Sequence, residues 1–350
     1  MVLAILSALA LTGISIFQLV YVYIFVRSVK RKPKSQLLSD KDCRPAAVIV
    51  CVRGIDPSLR HCIDALSQQD YPDYVVHIVV DHVNDPSHKI LNELAKKSSQ
   101  FQIHILEDQF ETCSLKCSSL IHAYSKLSSD TEIIAHLDTD TVPNTHWLRL
   151  LATELNDSEV GAVCGVRWYR PQKSNPGSLV RQIWNAAAVV QMFWYDIAWG
   201  GSMALKREVV VQTDLLERWK HALCEDTMLS QVLSGTPFQF RYVLHQIIEN
   251  DETTTVSTLV SWITRQLITA RLYHPQWHLV AAHGLITSLT STAALILLVV
   301  NVIQGTYAGI LIGLAIFTHQ LLNWICIVWL ESSINRIHNF KNPFNPLQPS

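Results

Sequence analysis

The sequence has 350 residues, of which 49% are hydrophobic and only 16% charged, and its net charge is −1. Such a low charged fraction is unusual for a soluble globular protein, and a nearly neutral chain offers no bulk attraction for nucleic acid, so we expect no nucleic-acid partner. The eight cysteines lack the CxxC spacing of zinc sites, and we expect them to be reduced, cytosolic thiols.

The first apolar segment, residues 2–26, contains no charged residue and is long enough to cross a bilayer, which takes about 20 apolar residues. A signal peptide is the alternative, but no basic segment precedes it and no small-residue cleavage site follows it. By the positive-inside rule, the basic residues after it predict that the N-terminus lies outside and the next domain is cytoplasmic. These residues are Arg27, Lys30, Arg31, Lys32 and Lys34.

Two further apolar segments, residues 279–303 and 307–330, are separated by a short uncharged turn. They predict a hairpin of two membrane spans, and Arg336 and Lys341 beyond it predict a cytoplasmic C-terminus. Two ionisable residues lie inside these segments, His283 and His319. Such groups are functional candidates, although a neutral histidine that faces a neighbouring helix is the simpler expectation.

Between the spans, short apolar runs alternate with helical patterns, which predicts a parallel sheet with helices on both faces. Ligands of such sheets bind at the carboxyl ends of the strands. Three acidic residues stand at predicted strand ends: Asp81, Asp138 and Asp140. The predicted strands are 46–52, 75–80, 101–106, 132–137, 160–166 and 238–243.

Asp138 and Asp140 are two residues apart, so on an extended chain their side chains point the same way. Two neighbouring carboxylates repel each other, and burying them requires a cation. A divalent metal site is one interpretation. An exposed Asp-rich turn, with Pro143 and Asn144 as turn residues, is the other.

Several motifs, in order, resemble the ceramide glucosyltransferase group of membrane glycosyltransferases, which have the GT-A fold. The resemblance covers residues 44–277. The motifs are "RGIDPSL" (53–59), "DYPDYVVHIVVDHVNDPS" (70–87), "CSLKCSSL" (113–120), "LDTDTVPNTHWL" (137–148), "GVRWY" (165–169), "GGSMALKREVV" (200–210) and "CEDTML" (224–229).

The resemblance implies an α/β, Rossmann-like GT-A nucleotide-sugar transferase domain with one N-terminal and two C-terminal transmembrane helices. The expected segments are an N-terminal transmembrane helix (1–27), a basic cytoplasmic linker (28–43), the catalytic domain (44–252), an amphipathic interfacial helix (253–277), two transmembrane helices (278–331) and a cytoplasmic tail (332–350).

The resemblance also implies a divalent cation, Mg²⁺ or Mn²⁺, bound by carboxylates and by the phosphates of the donor. Asp140 is the expected direct ligand, and Asp138 is expected to contact the ribose or a metal-bound water. The expected catalytic base lies in the pair Glu225 and Asp226, with Asp226 preferred. Its alternative role is to cap a helix that Glu225 and Asp226 open and Gly235 ends.

Further residues are expected to bind the nucleotide sugar. Asp81 is preferred for uridine, with His82 and Asp85 as alternatives, because an ungapped match puts His82 at the family's acid. Arg53 and Lys116 are expected to contact the donor. For Lys116, a solvated surface charge is an equal alternative.

The family usually carries a Gln-x-x-Arg-Trp motif before its C-terminal spans, and this chain has "TLVSW" (258–262) instead. Trp262 can stack on the acceptor and Arg265 can hold the diphosphate through its planar fork. Equally, Trp262, Arg271 and Trp277 can anchor the helix at a membrane surface. Gly201 either shapes the acceptor pocket or belongs to a plain turn.

The function that the resemblance implies is inverting, metal-dependent transfer of a hexose onto a lipid such as ceramide at the cytoplasmic membrane face. UDP-glucose is the expected donor. A polysaccharide or polyprenyl-phosphate glycosyltransferase is the alternative of the same chemistry, although the degenerate motif argues against processive synthesis. A non-catalytic membrane scaffold is the alternative of another class.

Overall fold

The computed structural model describes residues 1–31, 36–96 and 98–338 of the chain. Lys32, Lys34 and Lys341 of the basic segments lie outside the described residues. The chain divides into two compact units. The sheet unit consists of Pro33–Asn185 and Asp196–Pro275, and the helical unit consists of Met1–Lys32, Ala186–Tyr195 and Gln276–Ser350.

One seven-stranded sheet organises the sheet unit, with strand order β3-β2-β1-β4-β6-β5-β7. Helices pack on it, α4 against β1 and β2, and α5 against β5, β6 and β7. The strands are β1 (Ala46–Val52), β2 (Tyr74–Val80), β3 (Phe101–Ile105), β4 (Ile133–Leu137), β5 (Val160–Tyr169), β6 (Ser202–Lys206) and β7 (Gln239–Asn250). The helices are α1 (Val2–Val29), α2 (Leu59–Leu66), α3 (Pro86–Ala95), α4 (Leu115–Ser125), α5 (Trp147–Leu155), α6 (Pro176–Tyr195), α7 (Arg207–Gln212), α8 (Leu215–Trp219), α9 (Leu229–Leu233), α10 (Val256–Tyr273), α11 (Trp277–Ile303) and α12 (Ala308–His338).

The predicted alternation of strands and helices is confirmed, but the prediction of a wholly parallel sheet is wrong at β6. Strand β6 runs antiparallel to both neighbours, with Leu137 opposite Ser202 and Cys164 opposite Met203. The chain leaves β5 and returns into β6 at the same edge of the sheet, and such a connection places the next strand antiparallel.

Local hydrogen bonds fix where two helices begin. Asp85 caps α3 by accepting from the Ser87 N–H, with Pro86 in the first turn, and Ser114 caps α4 by accepting from the Cys117 N–H. Asp, Ser and an early proline are typical of helix starts. Strand β7 continues seven residues beyond the predicted end at 243.

The central strands are buried on both faces, because successive residues along them are buried. In β1, six of the seven residues of "AAVIVCV" are buried. Burying one large aliphatic side chain contributes roughly 1.5–3 kcal/mol relative to exposure. This apolar layer holds the strand ends in fixed positions, and polar side chains can be placed accurately on them.

The helical unit contains the three predicted apolar segments as helices α1, α11 and α12. Each is long and apolar enough to cross a bilayer, and Gly305 makes the turn between α11 and α12 with φ +65°. His319 of α12 faces a neighbouring helix, as expected, because its Nδ1 is hydrogen-bonded to Ser15 Oγ of α1 at 2.8 Å.

Candidate active site

The carboxyl ends of the parallel strands meet at one edge of the sheet, and β6 begins at that edge because it runs the other way. Most of the predicted site residues lie at this edge. Five of them form a group that we name the acidic cluster: Lys116, Asp138, Asp140, Glu225 and Asp226. The cluster draws on α4, the end of β4, and the loop before α9.

Lys116 pairs with two carboxylates at the centre of the acidic cluster. Its Nζ lies 2.5 Å from Asp138 Oδ1 and 2.6 Å from Glu225 Oε1. Burial disfavours the charge on Lys116, but the two carboxylates hold its pKa well above the usual value. Lys116 is therefore not an unpaired surface charge but a cation that offsets part of the negative charge of the cluster. Its contact with the donor stays a prediction.

The carboxylates around Lys116 differ in their protonation. Burial alone raises the pKa of Asp138, yet Lys116 outweighs it and the pKa is lowered. Glu225, whose side chain is only 4% exposed, has its pKa raised by burial, which Lys116 opposes. Asp138 is therefore held ionised, whereas Glu225 is a weaker acid than usual.

Asp140 is the least satisfied carboxylate of the acidic cluster. Its Oδ2 accepts a hydrogen bond from Asn250 Nδ2 at 3.0 Å, while its buried Oδ1 has no hydrogen-bond partner in the part of the chain that the structure describes. Burial, together with the neighbouring charge of Asp138, raises the pKa of Asp140 to about 6. A buried oxygen without a partner is rare, and a ligand commonly explains it.

The donor set can be tested against a divalent cation. Among residues 1–31, 36–96 and 98–338, no three or more His, Cys, Asp or Glu side chains form a group that could hold a metal ion. Mg²⁺, however, is usually bound through one or two carboxylates together with substrate phosphates and water. Asp140, with its free oxygen, and Asp138 beside it fit that mode of binding.

The turn Gly200–Gly201 joins the two halves of the acidic cluster. The Gly200 N–H donates to Asp226 Oδ2 at 2.7 Å, and the Asp138 N–H donates to the Gly201 carbonyl at 3.2 Å. A Cβ on residue 200 would lie 2.0 Å from Glu225 Oε1, so this position requires glycine. At Gly201, a Cβ would instead meet the ring of Trp199 at 2.4 Å.

The alternative role of Asp226 as a helix cap is wrong. Helix α9 begins at Leu229 with Met228 at its N-cap and without a side-chain capping bond. The prediction that the acidic pair opens this helix is wrong for the same reason, although Gly235 does follow its end with φ +88°. Asp226 instead accepts from the N–H groups of Gly200 and Thr227.

The three candidates for the uridine-binding acid have different surroundings. Asp85 is engaged in structure, because its Oδ2 accepts from the Gly54 N–H at 2.9 Å and its Oδ1 accepts from Ser87. His82 is exposed. Asp81 lies 3.4 Å from Arg53 Nε, and burial raises its pKa against the influence of Arg53. Asp81 thus remains the candidate whose carboxylate can still accept a hydrogen bond from a ligand.

An arginine that the sequence predictions did not single out, Arg167 at the end of β5, lies over three aromatic rings. Its Cζ is 5.1 Å from the ring centre of Tyr169, 5.5 Å from Trp199 and 5.2 Å from Trp262. Arg167 also lowers the pKa of Asp140, against the larger effects of burial and Asp138. Its only signal in the sequence was its place in "GVRWY".

Trp262 packs within the sheet unit rather than projecting freely. Its ring is perpendicular to Tyr169 and to Trp184, at 5.7 Å and 5.1 Å. Arg265, by contrast, is exposed on α10, and no hydrogen bond or ion pair joins it to the acidic cluster within the described residues.

Asn250, the other residue that sequence reasoning missed, lies at the end of β7 beyond the predicted strand.

The model of Glycosyl transferase family 21 matches residues 5–347. A mannosyltransferase of Pyrobaculum calidifontis, solved with GDP-Man and Mn²⁺, is similar in structure with a TM-score of 0.61 at 17% identity, over 97% of this chain and 99% of that chain. This similarity shows the GT-A-like fold.

Another solved structure is similar at a lower score. Glucosyl-3-phosphoglycerate synthase of Mycobacterium tuberculosis, with Mn²⁺, UDP and phosphoglyceric acid, has a TM-score of 0.44 at 14% identity, over 69% of this chain and 84% of that chain. No curated protein matches the sequence.

Proposed function

The chain belongs to glycosyl transferase family 21, a family of nucleotide-sugar glycosyltransferases, and we propose that it is an inverting, metal-dependent hexosyltransferase that moves glucose from UDP-glucose onto a lipid hydroxyl. The observation that carries the proposal is the buried, unpartnered Oδ1 of Asp140 beside the ionised Asp138, in the same cluster as Asp226. That arrangement suits a donor diphosphate on one side and an acceptor hydroxyl on the other.

Asp140 and Asp138 would hold the divalent cation, with Asp140 as the direct ligand. Mg²⁺ or Mn²⁺, when bound, stabilises the negative charge on the leaving diphosphate. Lys116 keeps Asp138 ionised through the 2.5 Å contact. The hydrogen bond from Asn250 fixes Asp140, so that its Oδ1 keeps one orientation.

Asp226 is the proposed base that accepts the proton of the acceptor hydroxyl. Two backbone N–H groups hold its carboxylate in place, and a base must be held within hydrogen-bond reach of the proton that it removes. Glu225, the neighbour of Asp226 in the sequence, fixes Lys116. Direct attack by one acceptor on the sugar, without a covalent intermediate on the enzyme, inverts the configuration at the sugar.

Asp81, with Arg53 beside it at 3.4 Å, is proposed to bind the uridine part of the donor. Gly201 and Trp262 are proposed to contact the acceptor. The three apolar helices support a lipid acceptor, because an enzyme held in the bilayer meets its substrate there. We propose that the sheet unit and the C-terminus are cytoplasmic, with α10 along the membrane surface.

A donor and acceptor screen tests this function. The purified full-length chain, in detergent with Mn²⁺, is given UDP-glucose, UDP-galactose or GDP-mannose, with ceramide or polyprenyl phosphate as the acceptor, and products are identified by mass spectrometry. We expect a glucosylated ceramide, formed at least about 100-fold more slowly by Asp226→Asn. Products on polyprenyl phosphate or polymer alone would establish the alternative enzyme, and no turnover with any donor would favour a scaffold.

A further inference from the structure

Arg167 is held by contacts with aromatic rings rather than by an ion pair with any of the described residues. Within the described residues no carboxylate forms an ion pair with it, and its buried Nε has no hydrogen-bond partner. The rings of Tyr169, Trp199 and Trp262 surround the guanidinium at 5.1–5.5 Å. Each ring face attracts the guanidinium charge, and the rings fix its position without using its N–H donors.

A second arginine, Arg181, also lies over the Tyr169 ring but is paired with a carboxylate. Arg181 lies 4.2 Å from the centre of the Tyr169 ring. Its Nη1 is 2.7 Å from Glu252 Oε2, and its Nη2 also donates to the Glu252 carbonyl. The charge of Arg181 is therefore balanced by Glu252, whereas Arg167, on the same ring, can still pair with an anionic ligand.

The acidic cluster does not neutralise Arg167 either. Arg167 is close enough to lower the pKa of Asp138, where burial and then Lys116 have the larger effects. Yet Asp138 pairs with Lys116 and Asp140 bonds to Asn250, and neither carboxylate forms an ion pair with Arg167 in the described part of the chain. Strand β5 carries Arg167 two residues before the position that pairs with Asn250 of β7, and Asn250 bonds to Asp140. The rings therefore hold the guanidinium at the same end of the sheet as the proposed metal ligands, with its donors free.

We propose that Arg167 binds the terminal phosphate of the donor diphosphate and stabilises it as the leaving group. The proposal rests on the proposed function and adds a residue to it. A guanidinium fits phosphate oxygens through its planar fork, and donors fixed in advance need no reorganisation as charge develops. Tyr169, Trp199 and Trp262 act as positioning residues that aim Arg167.

Comparing UDP with UMP isolates this contact, because only UDP carries the second phosphate. Affinities of the full-length protein in detergent are measured with Mn²⁺ by calorimetry, for wild type and for Arg167→Gln. Loss of one charge-assisted contact of about 1.5–3 kcal/mol corresponds to about 10- to 100-fold weaker binding. We expect that loss for UDP and less than a twofold change for UMP.

Three variants exclude a structural explanation. Arg167→Lys keeps the charge but loses the fork, and we expect a UDP affinity between those of wild type and Arg167→Gln. Trp262→Leu keeps the arginine but loosens its position, and we expect several-fold weaker UDP binding. Arg181→Gln, the matched control, should lower the melting temperature and leave the ratio of UDP to UMP affinity unchanged.

The failures are distinguishable. If the wild-type protein binds GDP and not UDP, the donor in the proposed function is wrong. The affinities for GDP and GMP, compared in the same way, would then decide the role of Arg167. Unchanged UDP binding in Arg167→Gln, or equal loss of UDP and UMP, overturns the role of Arg167. If Arg167→Gln weakens the binding of polyprenyl phosphate alone, the arginine binds a phosphorylated acceptor, and its proposed role toward the donor is wrong.

Discussion

The sheet unit buries two groups of titratable side chains, one of histidines and one mainly of carboxylates. The histidine group consists of His77 on β2, His104 on β3 and His122 on α4. His77 Nδ1 and His104 Nε2 are 3.0 Å apart with stacked rings, and the ring of His122 lies 6.2 Å from that of His104. Burial lowers the pKa of all three, that of His77 to about 4.

The two groups meet the cost of burial in opposite ways. The histidines favour the neutral form, and His77 and His104 share a hydrogen bond, so no buried charge needs a partner. The acidic cluster keeps Asp138 ionised against Lys116 and leaves Asp140 Oδ1 without a partner. Buried charges destabilise a fold unless they are fully paired. Folding alone explains the histidine group, and the difference supports the proposal that the acidic cluster binds a ligand.

The largest expected effect comes from Asp140→Asn. The substitution keeps the shape of the side chain and removes the charge that would hold the cation. We expect Mn²⁺-dependent binding of UDP to disappear and turnover to fall at least about 1,000-fold, since a metal supplies several kcal/mol of transition-state stabilisation. Calorimetric titration with UDP at increasing Mn²⁺ measures this.

The melting temperature of Asp140→Asn should stay equal to or exceed that of the wild type, because an unpaired buried charge is removed. Asp73→Asn, an exposed aspartate before β2, is the matched control and should behave as wild type in both measurements. An unchanged Mn²⁺ titration of Asp140→Asn would refute the metal assignment, and with it the contrast between the two buried groups.

Next in size is Asp226→Asn. Proton transfer by a positioned base contributes about 100- to 10,000-fold to a rate, and we expect kcat to fall by that factor. The affinity for UDP should stay within about twofold, because Asp226 bonds to Gly200 and Thr227 and not to Lys116. Steady-state kinetics with a lipid acceptor, together with UDP binding, separates the two quantities. Wild-type turnover would remove Asp226 as the base.

Local patterns allowed the strands and one part of the acidic cluster to be predicted. The apolar runs marked β1, β2 and β4 within one residue of their ends, and the paired Asp138 and Asp140 followed β4 as expected. The apolar helices could also be predicted, because a run of about 20 apolar residues is by itself typical of a membrane span.

Contacts between distant parts of the chain could not be predicted in this way. Lys116 meets Glu225 across 109 positions of sequence, and the antiparallel direction of β6 depends on where the chain re-enters the sheet. The role of Arg167 could not be predicted, because it depends on contacts with Trp199 and Trp262, which lie in other parts of the chain. Single-residue patterns predict elements, whereas pairing of charges is a property of the folded chain.

A smaller effect is expected from Gly200→Ala. The added Cβ would lie 2.0 Å from Glu225 Oε1 and 3.1 Å from Asp226 Oδ2, so both carboxylates must shift. Overpacking of this kind costs about 1–3 kcal/mol, and we expect a 10- to 100-fold loss of turnover. Gly284→Ala, where no atom lies within 4 Å of the added Cβ, is the control. Equal turnover of both variants would show that the turn does not position the carboxylates.

The smallest effect on activity, none at pH 7, is expected from His77→Phe, which tests the other side of the comparison. In the native state His77 has a pKa of about 4, and in the unfolded chain about 6.5. Between these values the unfolded chain takes up a proton that the native state does not, so stability falls as the pH is lowered. His77 contributes to that loss between pH 7 and pH 5. Melting temperatures in detergent across this range should therefore fall less for His77→Phe than for the wild type. Identical pH dependence would mean that His77 is charged or solvated in the native state, and the histidine group would no longer be the neutral counterpart of the acidic cluster.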